Sequence, residues 1–327
     1  MMLNPEAKLI ADLSKPEMAP TRDGYGRGLV AAGEKDPNVV VLCADLTEST
    51  RSEAFKKKFP ERFIEIGVAE QNLATVASGL ANYGKIPFIS SYAAFSPGRN
   101  NEQIRTTITL NNVPVKIAGA HAGISVGPDG ATHQALEDIA LMRVQPNMVV
   151  VVPCDAIEAE KATIAATTNG QPTYLRFGRE KSAVFTTPET PFEIGKAVVL
   201  RDGKDAAIIG CGILLHNALI AAEELSKEGI ECAVINSHTV KPLDAETILV
   251  AAQKTGAVVS VEEHQVNGGL GSAVAELLAK NHPVPQEFIG LQDRFGESGT
   301  AEELIEACGL GVSHIKEAVK KVIARKK

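Results

Sequence analysis

Short runs of aliphatic and β-branched residues alternate along this chain with longer stretches whose apolar positions recur at helical spacing. The runs at 39–43, 86–90, 115–118, 148–152 and 172–177 are apolar on both faces, which predicts strands buried from both sides. Between them, 69–83, 99–110, 134–143 and 156–168 carry a helical period and predict covering helices. Thr186-Thr187-Pro188-Glu189-Thr190-Pro191 is turn-rich and poor in apolar side chains, and predicts a linker. Beyond it the alternation resumes, with strands expected at 205–210, 231–235, 257–261 and 287–291. Helices are expected at 214–227, 245–254, 270–280, 301–307 and 313–324, and Thr300 with Glu303 predicts a capping box at the fourth of these. The pattern is that of an α/β protein with two consecutive doubly wound, mostly parallel sheet domains, at 1–185 and 193–327, joined by a linker at 186–192.

A length of 327 residues suits two domains. Aromatics make up only 4% and there is no Trp, so the cores must be built from Ala, Val, Ile and Leu. A net charge of −7 argues against a nucleic-acid or membrane-surface binder, since either needs a basic face. The two basic runs, Lys56-Lys57-Lys58 and Arg325-Lys326-Lys327, read as solvated surfaces. Cys43, Cys154, Cys211, Cys232 and Cys308 are scattered without metal or redox spacing, as expected of small core residues in a reducing compartment. The first residues carry charges and no apolar signal core, and no run approaches membrane-spanning length. A cytoplasmic location is therefore expected.

Candidate chemistry gathers at predicted strand ends, where ligands of open α/β sheets bind. In Ile64-Glu65-Ile66-Gly67-Val68-Ala69-Glu70-Gln71 a strand-like run breaks at glycine and places Glu70 in the first turn of a helix. A second junction runs from Ala118 through His121, Gly123, Gly127-Pro128-Asp129-Gly130 and Thr132-His133-Gln134. Its two histidines lack metal spacing, and each alone reads as structural. Together with Asp129 they suit a polyhydroxylated or phosphorylated ligand. Tyr92 and Phe95 could form a wall for a flat ring, or simply pack at the sheet edge. Asp45 reads as a turn residue, and Arg22, Arg176 and Arg179 as anion clamps or surface charge. Neither glycine cluster, Gly24-Tyr25-Gly26-Arg27-Gly28 nor Asn267-Gly268-Gly269-Leu270-Gly271, is a dinucleotide fingerprint, and the second reads as a tight strand-to-helix turn.

Taken together these motifs resemble the C-terminal two-thirds of transketolase, a thiamine-diphosphate enzyme. The likeness runs through Ala19-Pro20-Thr21-Arg22, Ala44-Asp45-Leu46-Thr47, Arg62-Phe63-Ile64-Glu65, Ala69-Glu70-Gln71-Asn72 and the loop from His121 to His133. It continues in Val240-Lys241-Pro242-Leu243-Asp244 and Val261-Glu262-Glu263-His264. The resemblance implies a pyrimidine-binding domain followed by a transketolase C-terminal domain. It implies that Glu70 bonds the cofactor's aminopyrimidine, that Tyr92 and Phe95 flank that ring, and that Asp45 approaches the thiazolium. Asp129 and His133 would then meet the donor sugar, and His121, Ser49, Arg22 and Arg179 its phosphate, with Arg176 nearby. The implied reaction moves a two-carbon ketol unit from a ketose phosphate to an aldose phosphate.

The family's Gly-Asp-Gly and following Asn, which bind diphosphate and metal, do not occur here. The chain thus resembles the second subunit of a split transketolase. Its Mg²⁺ or Ca²⁺ and the diphosphate would be held by an N-terminal subunit, within an assembly of two copies of each chain that includes a self-dimer. 1-Deoxyxylulose-5-phosphate synthase, the β subunit of a 2-oxo-acid dehydrogenase and a non-catalytic subunit of the same fold are the alternative expectations. Thr21-Arg22 weighs against the first, the His121–His133 loop against the second and Glu70 against the third.

Overall fold

In the computed structural model, which describes residues 3–326, the first half of the chain runs β1 (Glu17–Ala19), α1 (Thr21–Lys35), β2 (Val39–Cys43), α2 (Glu53–Lys58) and β3 (Phe63–Glu65). It continues through α3 (Glu70–Asn82), β4 (Ile86–Tyr92), the short α4 (Asn101–Gln103), a π-helical stretch over Ile104–Thr109, and β5 (Lys116–Ala120). It closes with α5 (Asp138–Arg143), β6 (Val149–Val151), α6 (Ala156–Ala166), β7 (Thr173–Arg176) and β8 (Ser182–Val184). The second half runs β9 (Val198–Arg201), β10 (Ala206–Gly210), α7 (Leu215–Lys227), β11 (Cys232–Asn236), β12 (Thr239–Lys241) and α8 (Ala245–Thr255). It ends with β13 (Val258–Gln265), α9 (Leu270–Asn281), β14 (Gln286–Leu291), α10 (Ala301–Ala307) and α11 (Val312–Ala324).

The larger sheet has the order β12-β6-β7-β5-β4-β2-β3, and all its neighbours are parallel except β12 against β6. The smaller has the order β14-β13-β10-β11-β9, with only β9 antiparallel. This is the expected mostly parallel α/β architecture. Strands such as β2, β5 and β10 are buried along their whole length, because helices cover both faces. The predicted capping box is present: Thr300 Oγ1 accepts from Glu303 N, and Glu303 Oε2 accepts from Thr300 N.

The two halves interlock. The three residues of β12 return from the second half to extend the first sheet, pairing Thr239 with Val151 and Lys241 with Val150. At the other end of the chain, Asn4 Nδ2 donates to Val199 O at 2.7 Å, and Ala7 and Leu13 join the core beneath α7 and α11. Between the sheets, one apolar cluster includes Leu42, Ile117 and Val150 from the first and Ile209, Ile235 and Val258 from the second.

Two of the elements that depart from the sequence pattern, α1 and α5, have clear physical reasons. Helix α1 is not predicted, because Gly24, Gly26 and Gly28 each weaken a helix by about 1 kcal/mol relative to Ala. Their use is close approach. A Cβ on Gly24 would overlap the Ala156 carbonyl oxygen, and one on Gly28 would sit 2.6 Å from Thr163 Cβ, so α1 lies directly against α6. The helix expected at 134–143 is shortened to α5, since residues 130–137 stay in a turn-rich loop. At 267–271 a tight turn does lead from β13 into α9, whose first N–H groups bind a side chain of the protein itself: Glu262 accepts from Leu270 N at 2.7 Å and Gly271 N at 2.8 Å.

Gly24→Ala should lower the unfolding free energy by about 3 kcal/mol in urea titrations, through forced separation of α1 and α6. A neutral or stabilising effect, as an exposed helical glycine would give, would contradict this packing.

Candidate active site

Five parallel strands deliver residues to one edge of the larger sheet. The chain leaves β2 for β3 on one side and returns to β4 on the other, so a crevice opens at the carboxyl ends of β2 and β4. Asp45 follows β2 in a left-handed conformation (φ +58°) and is exposed. Glu65, closing β3, holds that turn: its Oε1 accepts from Asp45 N at 2.8 Å and Gly67 N at 3.0 Å, and its Oε2 from Thr47 Oγ1 at 3.0 Å. Gly67, at φ +79°, then turns the chain so that Glu70 becomes the first residue of α3. Tyr92 ends β4, His121 follows β5 at φ +55°, and Arg179 lies just past β7.

Glu70 is 2% exposed, and a carboxylate so placed needs a donor. Arg99 Nη1 supplies it at 2.8 Å. The same guanidinium lies over Phe95, with Cζ 4.6 Å from the ring centroid. Asn100 Nδ2 pins the start of α3 by donating to Glu70 O at 2.9 Å. A flat group with N–H donors therefore fits between this carboxylate and this aromatic face.

Beside that seat the rings of Phe95, Tyr92 and His121 line up. Tyr92 stacks on Phe95 at 5.8 Å and on His121 at 3.8 Å, and His133 meets Phe95 edge-on at 5.4 Å. His121 is buried, and Arg22 Nη1 lies 3.4 Å from its Nε2. A guanidinium can only donate, so the ring carries its proton on Nδ1, which is buried without a protein partner. Arg22 Nε is likewise unpartnered. Burial, then the charges of Arg22, Arg179, His133 and Arg51, push the His121 imidazole down to about 3. The corner is electropositive and offers unused donors, a setting suited to an anion.

Ser49 reaches this corner through its carbonyl, which accepts from Arg22 Nη1 at 2.7 Å. Arg179 donates to Val126 O at 3.0 Å and lies 3.8 Å from Asp129 Oδ1, on the loop that carries His133. Arg176 is a correction: it is no free anion clamp. It is 5% exposed, its Nε and Nη2 donate to Asp138 at 2.7 and 3.2 Å, and Nη2 also donates to the Ala135 and Glu263 carbonyls. Burial opposes its charge, yet Asp138 holds it firmly protonated. Among the described residues no group of three or more His, Cys, Asp or Glu is arranged to hold a metal ion, and no helix is long and apolar enough to cross a membrane.

Residues 17–183 match the transketolase pyrimidine-binding domain and residues 195–315 the transketolase C-terminal domain. The chain belongs to the transketolase family. It is 41% identical, over 93% of its length and 95% of the relative's, to a 6-deoxy-6-sulfo-D-fructose transketolase subunit of a Clostridium species. It is 41% identical to mouse transketolase-like protein 2, of which it spans 49%. A solved structure described as a split gene transketolase, inactive beta4 tetramer, superposes with a TM-score of 0.89 at 46% identity, covering 94% of this chain and 99% of that one.

Arg99 and Glu65 are two side chains at the crevice that sequence patterns do not reveal as site residues. The chain from Tyr92 to Asn100 forms tight turns rather than continuing a strand or starting a helix at 99, and only that folding brings Arg99 back onto Glu70. The depressed His121 gives a direct test. Because its folded value lies below the unfolded one, the neutral ring persists as pH falls past about 6.5, and the stability it contributes is lost between there and about 3. In two-dimensional NMR of the folded chain, the His121 ring signals should not titrate between about pH 8 and 5. A midpoint near 6.5 would contradict the buried, electropositive setting.

Proposed function

We propose that this chain supplies the ring-binding and sugar-binding half of a thiamine-diphosphate-dependent transketolase, with the diphosphate and its metal held by a separate polypeptide. The observation that carries the proposal is the seat between Glu70 and Phe95, whose shape and polarity the Arg99 guanidinium already traces. A second polypeptide is supported by relatives of nearly the same span that bear the descriptions subunit and split gene transketolase. The inactivity and tetrameric state given for the latter belong to that protein, but they match what a chain with half a cofactor site should do.

When bound, thiamine diphosphate supplies the electron sink for cleaving and forming the carbon–carbon bond next to a carbonyl. The chain supplies position and protons. Glu70, itself buried, holds a proton against the pyrimidine N1′, where one hydrogen bond to a carboxylate is strong. Arg99 must yield that carboxylate as the ring enters. Tyr92 and Phe95 give the ring an apolar wall, and Asp45 stands at the mouth of the crevice. Neutral His121 with its free Nδ1–H, Arg22 through its unpartnered Nε, and Arg179 orient the anionic end of a sugar. Asp129 and His133 then face the hydroxyls of the donor. The reaction is transfer of a two-carbon ketol unit between sugar phosphates. The sulfosugar in one relative's name shows that sulfonate is an anion to test alongside phosphate.

In the reconstituted two-chain enzyme, Glu70→Gln should lower turnover by about 10²–10⁴-fold with the fold intact. Near wild-type turnover would remove Glu70 from the proton pathway. Arg179→Ala should raise KM for phosphorylated donors by about tenfold while sparing unphosphorylated ones. Equal losses on both would take the anion role away from it.

A further inference from the structure

The loop from His121 to Glu137 carries most of the proposed sugar contacts, and part of its support comes from outside the sheet that presents it. Its base is closed by two backbone bonds within the first domain, Ala122 N to Phe177 O at 3.0 Å and Gly123 N to Ala135 O at 2.9 Å. Arg179 and Arg176 add side-chain bonds from the same domain, to Val126 O at 3.0 Å and Ala135 O at 3.2 Å. The second domain holds the loop as well. Glu263, on β13 and 5% exposed, accepts from Ser125 N at 2.6 Å through Oε1. Gly123 leaves room for that carboxylate, since a Cβ there would collide with it. Gln134 Nε2 points back into the loop, donating to Ile124 O at 3.2 Å and Gly127 O at 3.4 Å, and reaches across to Glu297 O at 2.9 Å. Gly296 lies so close to Gln134 Oε1 that any side chain there would strike it. Gly127, at φ +79°, lies against the Gly299 carbonyl, and Gly130 against the Ser298 hydroxyl.

We infer that Glu263 and Gln134 are positioning residues, a clip through which the second domain sets the spacing of His121, Asp129 and His133. Neither touches the crevice itself. Glu263 acts on the loop between His121 and His133, and Gln134 adjoins His133 in sequence. A buried N–H bonded to a carboxylate is a strong contact, and removing the acceptor strands the donor. The loop then has two glycine hinges, Gly123 and Gly130, free to move its histidines apart. The role assigned to the loop rests on the proposed function, whereas the clip itself rests only on these contacts.

The test uses the full chain, alone and assembled with its partner, as Glu263→Ala, Glu263→Gln and Gln134→Ala. In the assembled enzyme Glu263→Ala should raise donor KM by about tenfold with kcat much less affected, and leave thiamine diphosphate affinity within about twofold. Glu263→Gln should recover most of the loss, because its amide oxygen can still accept from Ser125 N. In the lone chain, hydrogen exchange over residues 122–134 should quicken about tenfold in Glu263→Ala and Gln134→Ala, with α3 unchanged. Unchanged loop exchange, or loop and α3 exchange quickening together, would overturn the clip. Faster loop exchange with unaltered KM would overturn its bearing on the sugar. Absence of transketolase activity from the wild-type assembly would instead defeat the proposed reaction, leaving the exchange comparison to decide the clip.

Discussion

Arg176 and Asp138 are opposite charges buried against each other at the junction of the two halves, and much of the site is placed by them. A charge taken from water must be met in full, and Arg176 is met from three directions: the Asp138 carboxylate on α5, the Ala135 carbonyl in the loop, and the Glu263 carbonyl on β13. Tyr174 completes the cluster by donating to Asp138 at 2.6 Å. One guanidinium thus ties the end of β7, the return of the His121–His133 loop and strand β13 of the second sheet. Losing Asp138 would leave an uncompensated buried charge, a loss of about 3–5 kcal/mol. Domain packing and loop geometry are therefore a single problem in this protein.

That coupling explains what could and could not be read along the chain. Strands such as β2, β6 and β10 are legible because burial on both faces leaves them without a charged or polar side chain. The turn into α3 is legible because Gly67 must take a left-handed conformation just before Glu70. Arg176 is not, because no spacing reveals that Asp138 lies opposite it once β7 and α5 have packed. Helix α1 is hidden by glycines that serve contact with α6 and work against local propensity. β12 is hidden by being three residues long and by pairing with a strand some ninety positions earlier. Periodicity reports local burial, and these features are decided by distant neighbours.

At the crevice the same reasoning separates two regions. The corner of Arg22, His121 and Arg179 carries positive charge and unpaired donors and is prepared for an anion before any ligand arrives. The seat at Glu70 is different, since its carboxylate is already paired with Arg99. Arg99 is half exposed, so its hold on Glu70 is screened by water on one side and can be given up to a better-fitting donor. A ring entering there gains stacking against Phe95 and a bond to Glu70, but a doubly charged tail would extend past them toward a net-acidic chain. The proposed partner's metal site would offset that charge, which would make cofactor binding a property of the assembly.

Calorimetric titration of thiamine diphosphate with Mg²⁺, into this chain alone and into the chain mixed with its partner, tests that claim directly. The account predicts no resolved binding by the lone chain and tight, stoichiometric binding by the mixture, abolished when the partner's metal is chelated. Tight binding of the intact cofactor to the lone chain would contradict it.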